Sequence, residues 1–173
     1  MSELMLNIGS GQRPFNKRHW VNIDKQARWN PDVLCDFGNP LDKLQFEDDS
    51  VDMIVLHHVL EHYGCGQADG VLKECHRLLK LNGSLLVFVP DMRLIADLWR
   101  EQRIDDQTYM LDVYGAYMGD EADRHKWGYT LKTLKATLFS AGFRQAYPFN
   151  WREIKGADIA RDDRWILGVE AIK

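Results

Sequence analysis

Leu6-Asn7-Ile8-Gly9-Ser10-Gly11 is the stretch on which the fold turns. The apolar run over residues 4–8 breaks at two glycines, which reads as a strand ending in a tight turn. Glycine there lets backbone approach a ligand closely. Short Gly-x-Gly turns are common, so the same residues also read as a plain turn. A full dinucleotide fingerprint needs a third glycine three positions on. Pro14 stands there, which argues against a nicotinamide or flavin pyrophosphate site.

Working outward, further short apolar runs each end in a polar residue. Residues 20–23 end at Asp24, residues 33–35 at Asp36, residues 51–56 run into His57-His58, and residues 84–89 end at Pro90-Asp91. These runs do not alternate strictly, as expected of strands buried on both faces of a parallel sheet. Between them, residues 67–80 carry Val71, Leu72, Cys75, Leu78 and Leu79 at helical spacing, and Asn82-Gly83 is expected to stop that helix. Asp91 can cap a helix carrying Ile95, Leu98 and Trp99. Thr130 can cap another carrying Leu131, Leu134 and Leu138, ended by Gly142. Late strands are predicted over residues 143–149 and 164–171. The alternation predicts an α/β sheet with crossover helices, mostly parallel, with an antiparallel edge strand near the C-terminus. Residues 1–173 read as one domain. Residues 105–129, rich in Tyr and Met, break the rhythm and are expected to form an insertion or lid over the active face.

Ligands in such sheets bind beyond the carboxyl ends of the strands. Asp24 lies there and can accept hydrogen bonds from both ribose hydroxyls of an adenosine; alone it is a solvated strand-end carboxylate or a cap. Asp36 can accept from the exocyclic amine of adenine, and Phe37 can pack on a ring face. The same residues open Phe37-Gly38-Asn39-Pro40, which has turn chemistry.

Taken in order, the Gly9-Ser10-Gly11 turn, Asn22-Ile23-Asp24, Asp36-Phe37, Val51-Asp52-Met53-Ile54-Val55 with His58-Val59-Leu60-Glu61-His62, and Arg77-Leu78-Leu79-Lys80-Leu81-Asn82-Gly83 resemble the class I S-adenosylmethionine-dependent methyltransferases. The chain is most similar to compact bacterial methyltransferases, of the type 11-like kind, with unassigned substrates. Val113-Tyr114-Gly115, the His125-Lys126-Trp127-Gly128-Tyr129-Thr130 run and Ala141-Gly142-Phe143 extend the likeness over nearly the whole chain. The resemblance implies a Rossmann-like three-layer sandwich and S-adenosyl-L-methionine as cofactor. It implies that Gly9, Ser10 and Gly11 hold the methionine end, Asp24 the ribose and Asp36 with Phe37 the adenine, with His57 and His58 near the sulfonium. Two departures stand out. The chain begins almost at its first strand, and residues 12–19 are too short, and too interrupted by Pro14, for a full first crossover helix. A more open pocket, or one completed by a second subunit in a homodimer, is the expectation.

Charge and composition narrow the acceptor. The formal net charge is −4 and the isoelectric point about 5.8, whereas a nucleic-acid backbone needs clustered positive charge. The fourth strand ends in Leu56-His57-His58, not the Asn/Asp-Pro-Pro-aromatic turn of adenine amino-methyltransferases; Asn39-Pro40-Leu41 is in the wrong place. None of Cys35, Cys65 and Cys75 follows a proline, as a nucleophile for cytosine methylation usually does. An odd cysteine count without disulfide or zinc-finger spacing fits a reducing compartment. No signal peptide or spanning segment is read. The expectation is a cytoplasmic protein with a small-molecule or glycan acceptor, a sugar hydroxyl among the candidates, and neither nucleic acid nor membrane as partner.

Methyl transfer asks little of side chains beyond alignment; a base is needed where the acceptor is a poor nucleophile. Candidate catalytic groups are His62, His125, His58 and Asp91. Each has a structural alternative: helix contacts for His58 and His62, a surface loop for His125, a helix cap for Asp91. The run from His58 to His62 spells H-x-x-E-H, an inverted zinc-protease motif. With no third ligand at persuasive spacing, we read the match as accidental and expect no metal. The competing readings are a non-catalytic module that binds S-adenosylmethionine or S-adenosylhomocysteine, a nicotinamide-dependent reductase and a metalloprotease.

Overall fold

A computed structural model describes residues 3–12, 14–39, 44–117, 119–154 and 165–173 of the 173-residue chain. Among the described residues seven strands form one sheet: β1 (Met5–Ile8), β2 (Trp20–Asp24), β3 (Val33–Leu34), β4 (Val51–His57), β5 (Leu79–Pro90), β6 (Gln145–Pro148) and β7 (Ile166–Ile172), in the order β3-β2-β1-β4-β5-β7-β6. The first five are parallel. β7 runs antiparallel to both its neighbours, β5 and β6. The antiparallel C-terminal pair is thus present, and its last strand in sequence slots inside, leaving β6 at the edge.

The α-helices among the described residues are α1 (Gln67–Leu78), α2 (Met92–Arg100), α3 (Asp106–Tyr114) and α4 (Leu131–Ser140). On β5, Leu85, Val87 and Val89 face one side and Leu86 and Phe88 the other, and all five are buried. The larger core lies on the first side, where Val71, Leu72, Cys75 and Leu78 of α1 and Leu134 and Leu138 of α4 pack. On the second side Phe15, Trp20 and Ile154 cover Val55, Leu86 and Phe88. Among the described residues this third layer is built from strand and loop residues rather than an α-helix.

The absent helix between β1 and β2 explains that thin layer. Asn22 takes its place as a clamp: its Oδ1 accepts from the Phe15 N–H at 2.7 Å and from Asn7 Nδ2 at 2.9 Å, and its Nδ2 donates to Phe15 O at 3.0 Å and Asp32 Oδ2 at 3.1 Å. A buried amide fully used in this way fixes the loop without a desolvation penalty. The Phe15 ring then sits edge-on to Trp20, centroids 5.0 Å apart.

Both predicted caps are present. Asp91 accepts from the N–H groups of Arg93 and Leu94 at the start of α2, and Thr130 forms a capping box with Thr133 at the start of α4. The end of α1 differs from the expectation. The helix stops at Leu78, and Asn82-Gly83 lies inside β5. Asn82 has φ 65°, and the β4 pairing jumps from Val51 with Leu79 to Met53 with Ser84. The turn chemistry of Asn-Gly is spent on an excursion within the strand, not on a helix stop. The strand expected from residue 164 begins at Ile166; Arg164 itself lies outside the described residues, as do Pro40 and Leu41.

The described residues of 105–129 lie outside the strands of the sheet. They hold α3 and a 3-10 turn (Glu121–Asp123), and return to the sheet where Tyr129 bridges to Asp91. Stacking of Trp99 on Tyr109, centroids 4.6 Å apart, and donation from Trp99 Nε1 to Asp106 Oδ1 at 2.8 Å tie α3 to α2. No helix among the described residues is long and apolar enough to cross a membrane.

Candidate active site

The strand order reverses between β1 and β4, and there a cleft of about 350 Å³ opens beyond the carboxyl ends of β1, β2 and β4. Gly9, Gly11, Asp24, Asp36, Phe37 and His58 line it. A second cleft of about 260 Å³ shares Gly9, Gly11 and His58 and adds Ser10 and His57. The eight residues singled out for the cofactor therefore converge on two adjoining hollows, as the switch-point rule for parallel sheets requires.

Gly9 has φ 71°, and a Cβ there would stand 2.5 Å from Val59 Cγ2. The turn is glycine for two reasons: the left-handed backbone, and Val59 closing over it from the β4 side. Gly9 and Ser10 both donate their N–H to Ile23 O, which holds the loop against β2. Gly11 N–H donates to Asp24 Oδ2 and Gln26 N–H to Asp24 Oδ1, each at 2.8 Å. Two backbone donors thus aim a nearly buried carboxylate whose oxygens each retain acceptor capacity. Ser10 Oγ is buried and has no hydrogen-bond partner. At the other end of the cleft Phe37 is buried, and Tyr63 packs so tightly on Gly38 that a Cβ there would fall 2.0 Å from its ring. Burial, with Asp36 nearby, pushes the Tyr63 phenol up to about 12, so it stays neutral.

β4 ends in a strained turn. His58 has φ 55°, a left-handed backbone that costs a non-glycine residue about 1–2 kcal/mol. Its N–H still donates to Phe88 O, and its Nδ1 bonds Glu61 Oε1 at 2.7 Å. Glu61 is 1% exposed, and its Oε2 accepts no hydrogen bond. Burial pushes the Glu61 carboxyl up, but the His58 hydrogen bond and the charges of His58, His62 and His125 outweigh it, so Glu61 lies below its ordinary value.

The H-x-x-E-H run is not helical. Leu60–His62 is one 3-10 turn, so His58 and His62 do not stack one α-turn apart. His62 points instead towards His125, ring centroids 5.1 Å apart. His62 Nδ1 bonds Arg124 O at 3.1 Å and His125 Nδ1 bonds Asp112 O at 3.0 Å. The Glu61 carbonyl also accepts from the N–H groups of Lys126 and Trp127. The insertion is thereby stapled to the end of β4. Burial, helped by His62 and His58 and opposed by Glu61, holds His125 below the usual histidine value.

Asp91 is committed to its cap and lines neither cleft; its structural alternative is the one the fold uses. Of the aromatics in the insertion, Tyr129 is buried, whereas Tyr114, Tyr117 and Trp127 are exposed. Ala122, Asp123 and Lys126 of the same segment line the larger cleft, and Asp123 reaches Arg28 beside β2 at 3.8 Å. The sequence reading passed over Val59, Tyr63, Gln26 and Lys126 as lining residues. Only Val59 left a signal, the need for glycine at position 9.

Residues 19–87 match the family described as a methyltransferase domain. Among curated proteins none matches the chain in sequence. The whole fold is similar to that of a S-adenosylmethionine-dependent methyltransferase from Archaeoglobus fulgidus, at 15% identity and a TM-score of 0.60, over 99% of this chain and 86% of that one. It is also similar to the 1,6-didemethyltoxoflavin-N1-methyltransferase of Burkholderia thailandensis, solved with S-adenosylhomocysteine, at 18% identity and a TM-score of 0.56, over 98% and 70% of the two chains. Human N-acetylserotonin methyltransferase, solved with S-adenosylmethionine, is similar at 16% identity and a TM-score of 0.58, over 98% of this chain and 47% of that one. Part of the chain thus matches a methyltransferase-domain model, and its fold is the one these methyltransferases share. The chemistry of the cleft fits a ligand such as S-adenosylmethionine: a hollow at the switch point, a carboxylate held with acceptor capacity to spare at Asp24, and a buried hydroxyl at Ser10 with no partner among the described residues.

Proposed function

We propose that this chain is an S-adenosylmethionine-dependent methyltransferase that acts on a hydroxyl group of a small-molecule acceptor, a sugar among the candidates, with His58 as general base. The cofactor supplies an already activated methyl group. Asp24 takes the ribose hydroxyls, Asp36 and Phe37 the adenine, and Gly9, Ser10 and Gly11 the methionine end, with His57 and His58 beside the reacting centre. A hydroxyl is a weak nucleophile, so a base near that centre contributes to rate. The observation that carries the reading is His58: it lines both clefts and is bonded through Nδ1 to the buried Glu61 carboxylate. A carboxylate on one ring nitrogen fixes the tautomer and strengthens the other as a base. The exposed rings of Tyr117 and Trp127, on the segment whose Ala122, Asp123 and Lys126 form part of the cleft wall, suit the apolar faces of a sugar. Residues 105–129 act as the lid over that acceptor.

The test is a screen of free sugars, nucleotide sugars and small phenols for acceptor-dependent release of S-adenosylhomocysteine. With an acceptor in hand, His58→Ala is expected to lower kcat by about 10²–10⁴-fold, far more than it changes cofactor affinity. A fully active His58→Ala variant contradicts the base assignment. Cofactor binding with no release across the screen supports the binding-module reading instead.

A further inference from the structure

We propose that Glu61, His62 and His125 form a binding site for one divalent transition-metal ion beside the cleft. One donor atom from each lies within 4.8 Å of the other two. His62 and His125 each direct Nδ1 at a backbone carbonyl, of Arg124 and Asp112. A carbonyl only accepts, so the neutral form of each ring carries its proton on Nδ1 and leaves Nε2 as the lone-pair nitrogen. Metal-binding histidines are held in this way, the second nitrogen donating to a carbonyl or carboxylate.

Glu61 supplies the third donor. Oε1 is taken by His58, whereas Oε2 is buried and accepts no hydrogen bond from the described residues. A buried carboxylate oxygen left unpaired is costly, and coordination to a cation would satisfy it. Two imidazoles and one carboxylate form the donor set of open, three-ligand zinc sites. Ligand atoms about 2.0–2.1 Å from such an ion stand roughly 3.4 Å from each other. The spread of up to 4.8 Å is wider, and the two half-buried rings would have to turn to close it. The sequence hid this site because its third ligand comes from the insertion, brought to the end of β4 by the Glu61 carbonyl's bonds to Lys126 and Trp127.

Three protein ligands leave a coordination position for another oxygen. His62 lines the larger cleft, so an acceptor hydroxyl is the group to fill it; this role rests on the hydroxyl-acceptor reading above, whereas the metal site does not.

The full chain, stripped with chelator, would be titrated with Zn²⁺ by calorimetry and with Co²⁺ by visible absorption. One ion per chain and cobalt ligand-field bands are expected. His62→Ala, His125→Ala and Glu61→Gln should each weaken Zn²⁺ binding by about 100-fold or more, and exposed His19→Ala should not change it. Should Glu61→Gln fail to fold, the two histidine variants carry the test. Sub-stoichiometric Zn²⁺, or affinity unchanged in both His62→Ala and His125→Ala, overturns the site. Titration of the same samples with S-adenosylhomocysteine keeps a failure here distinct from a failure of the cofactor assignment.

Discussion

Asp24 concentrates the residue-scale argument. Its carboxylate is nearly buried and held by two backbone N–H groups. Asp24→Ala removes the acceptors for a sugar diol and also the anchor of Gly11 and Gln26. Loss of charged hydrogen bonds predicts a fall in S-adenosylhomocysteine affinity of about 1.5–3 kcal/mol by calorimetry; unchanged affinity removes Asp24 from the site. Gly9→Ala is predicted to cost about 1–3 kcal/mol in stability by denaturant melts, because the new methyl meets Val59 on a left-handed backbone. A neutral result would show that Val59 yields. The lining residues that follow strands could be read from sequence because strand ends are visible in apolar runs. Tyr63 could not, since its place depends on the gap above Gly38. Nor could the meeting of Glu61 with His125, which is a contact between distant segments.

At the scale of elements, Asp52 joins three strands' worth of backbone. Lys80 of β5 donates to both its oxygens, at 2.7 and 2.8 Å, and the N–H of Leu4, next to β1, donates to Oδ2 at 2.8 Å. The Lys80 bond first, then that of Leu4, holds the Asp52 carboxyl below its ordinary value. A depressed folded-state pKa gives stability that is present above the unfolded value, about 3.9, and lost as pH falls through the lower folded value. Asp52→Asn is thus predicted to be less stable than the parent by about 0.5–1 kcal/mol near neutral pH, a partly exposed pair being worth little more. Thermal melts should converge below the folded pKa; a gap that persists in strong acid contradicts the linkage. The existence of the strands and of α1, α2 and α4 was legible from apolar spacing and caps. The end of α1 was not, because Asn82-Gly83 is turn chemistry whether it stops a helix or kinks a strand. The insertion of β7 between β5 and β6 was not legible either, since local pattern says that two strands exist but not which neighbour each takes.

At the scale of the whole molecule, the strand order reverses between β1 and β4, and the glycine turn, the Asp24 carboxylate and the His58 turn meet there. The central claim is that this meeting point holds the methyl donor. Calorimetric titration of the full chain with S-adenosylhomocysteine tests it most directly. The account predicts saturable binding of one molecule per chain, displaced by S-adenosylmethionine and weakened in Asp24→Ala. No detectable binding of either compound by a folded chain would contradict it.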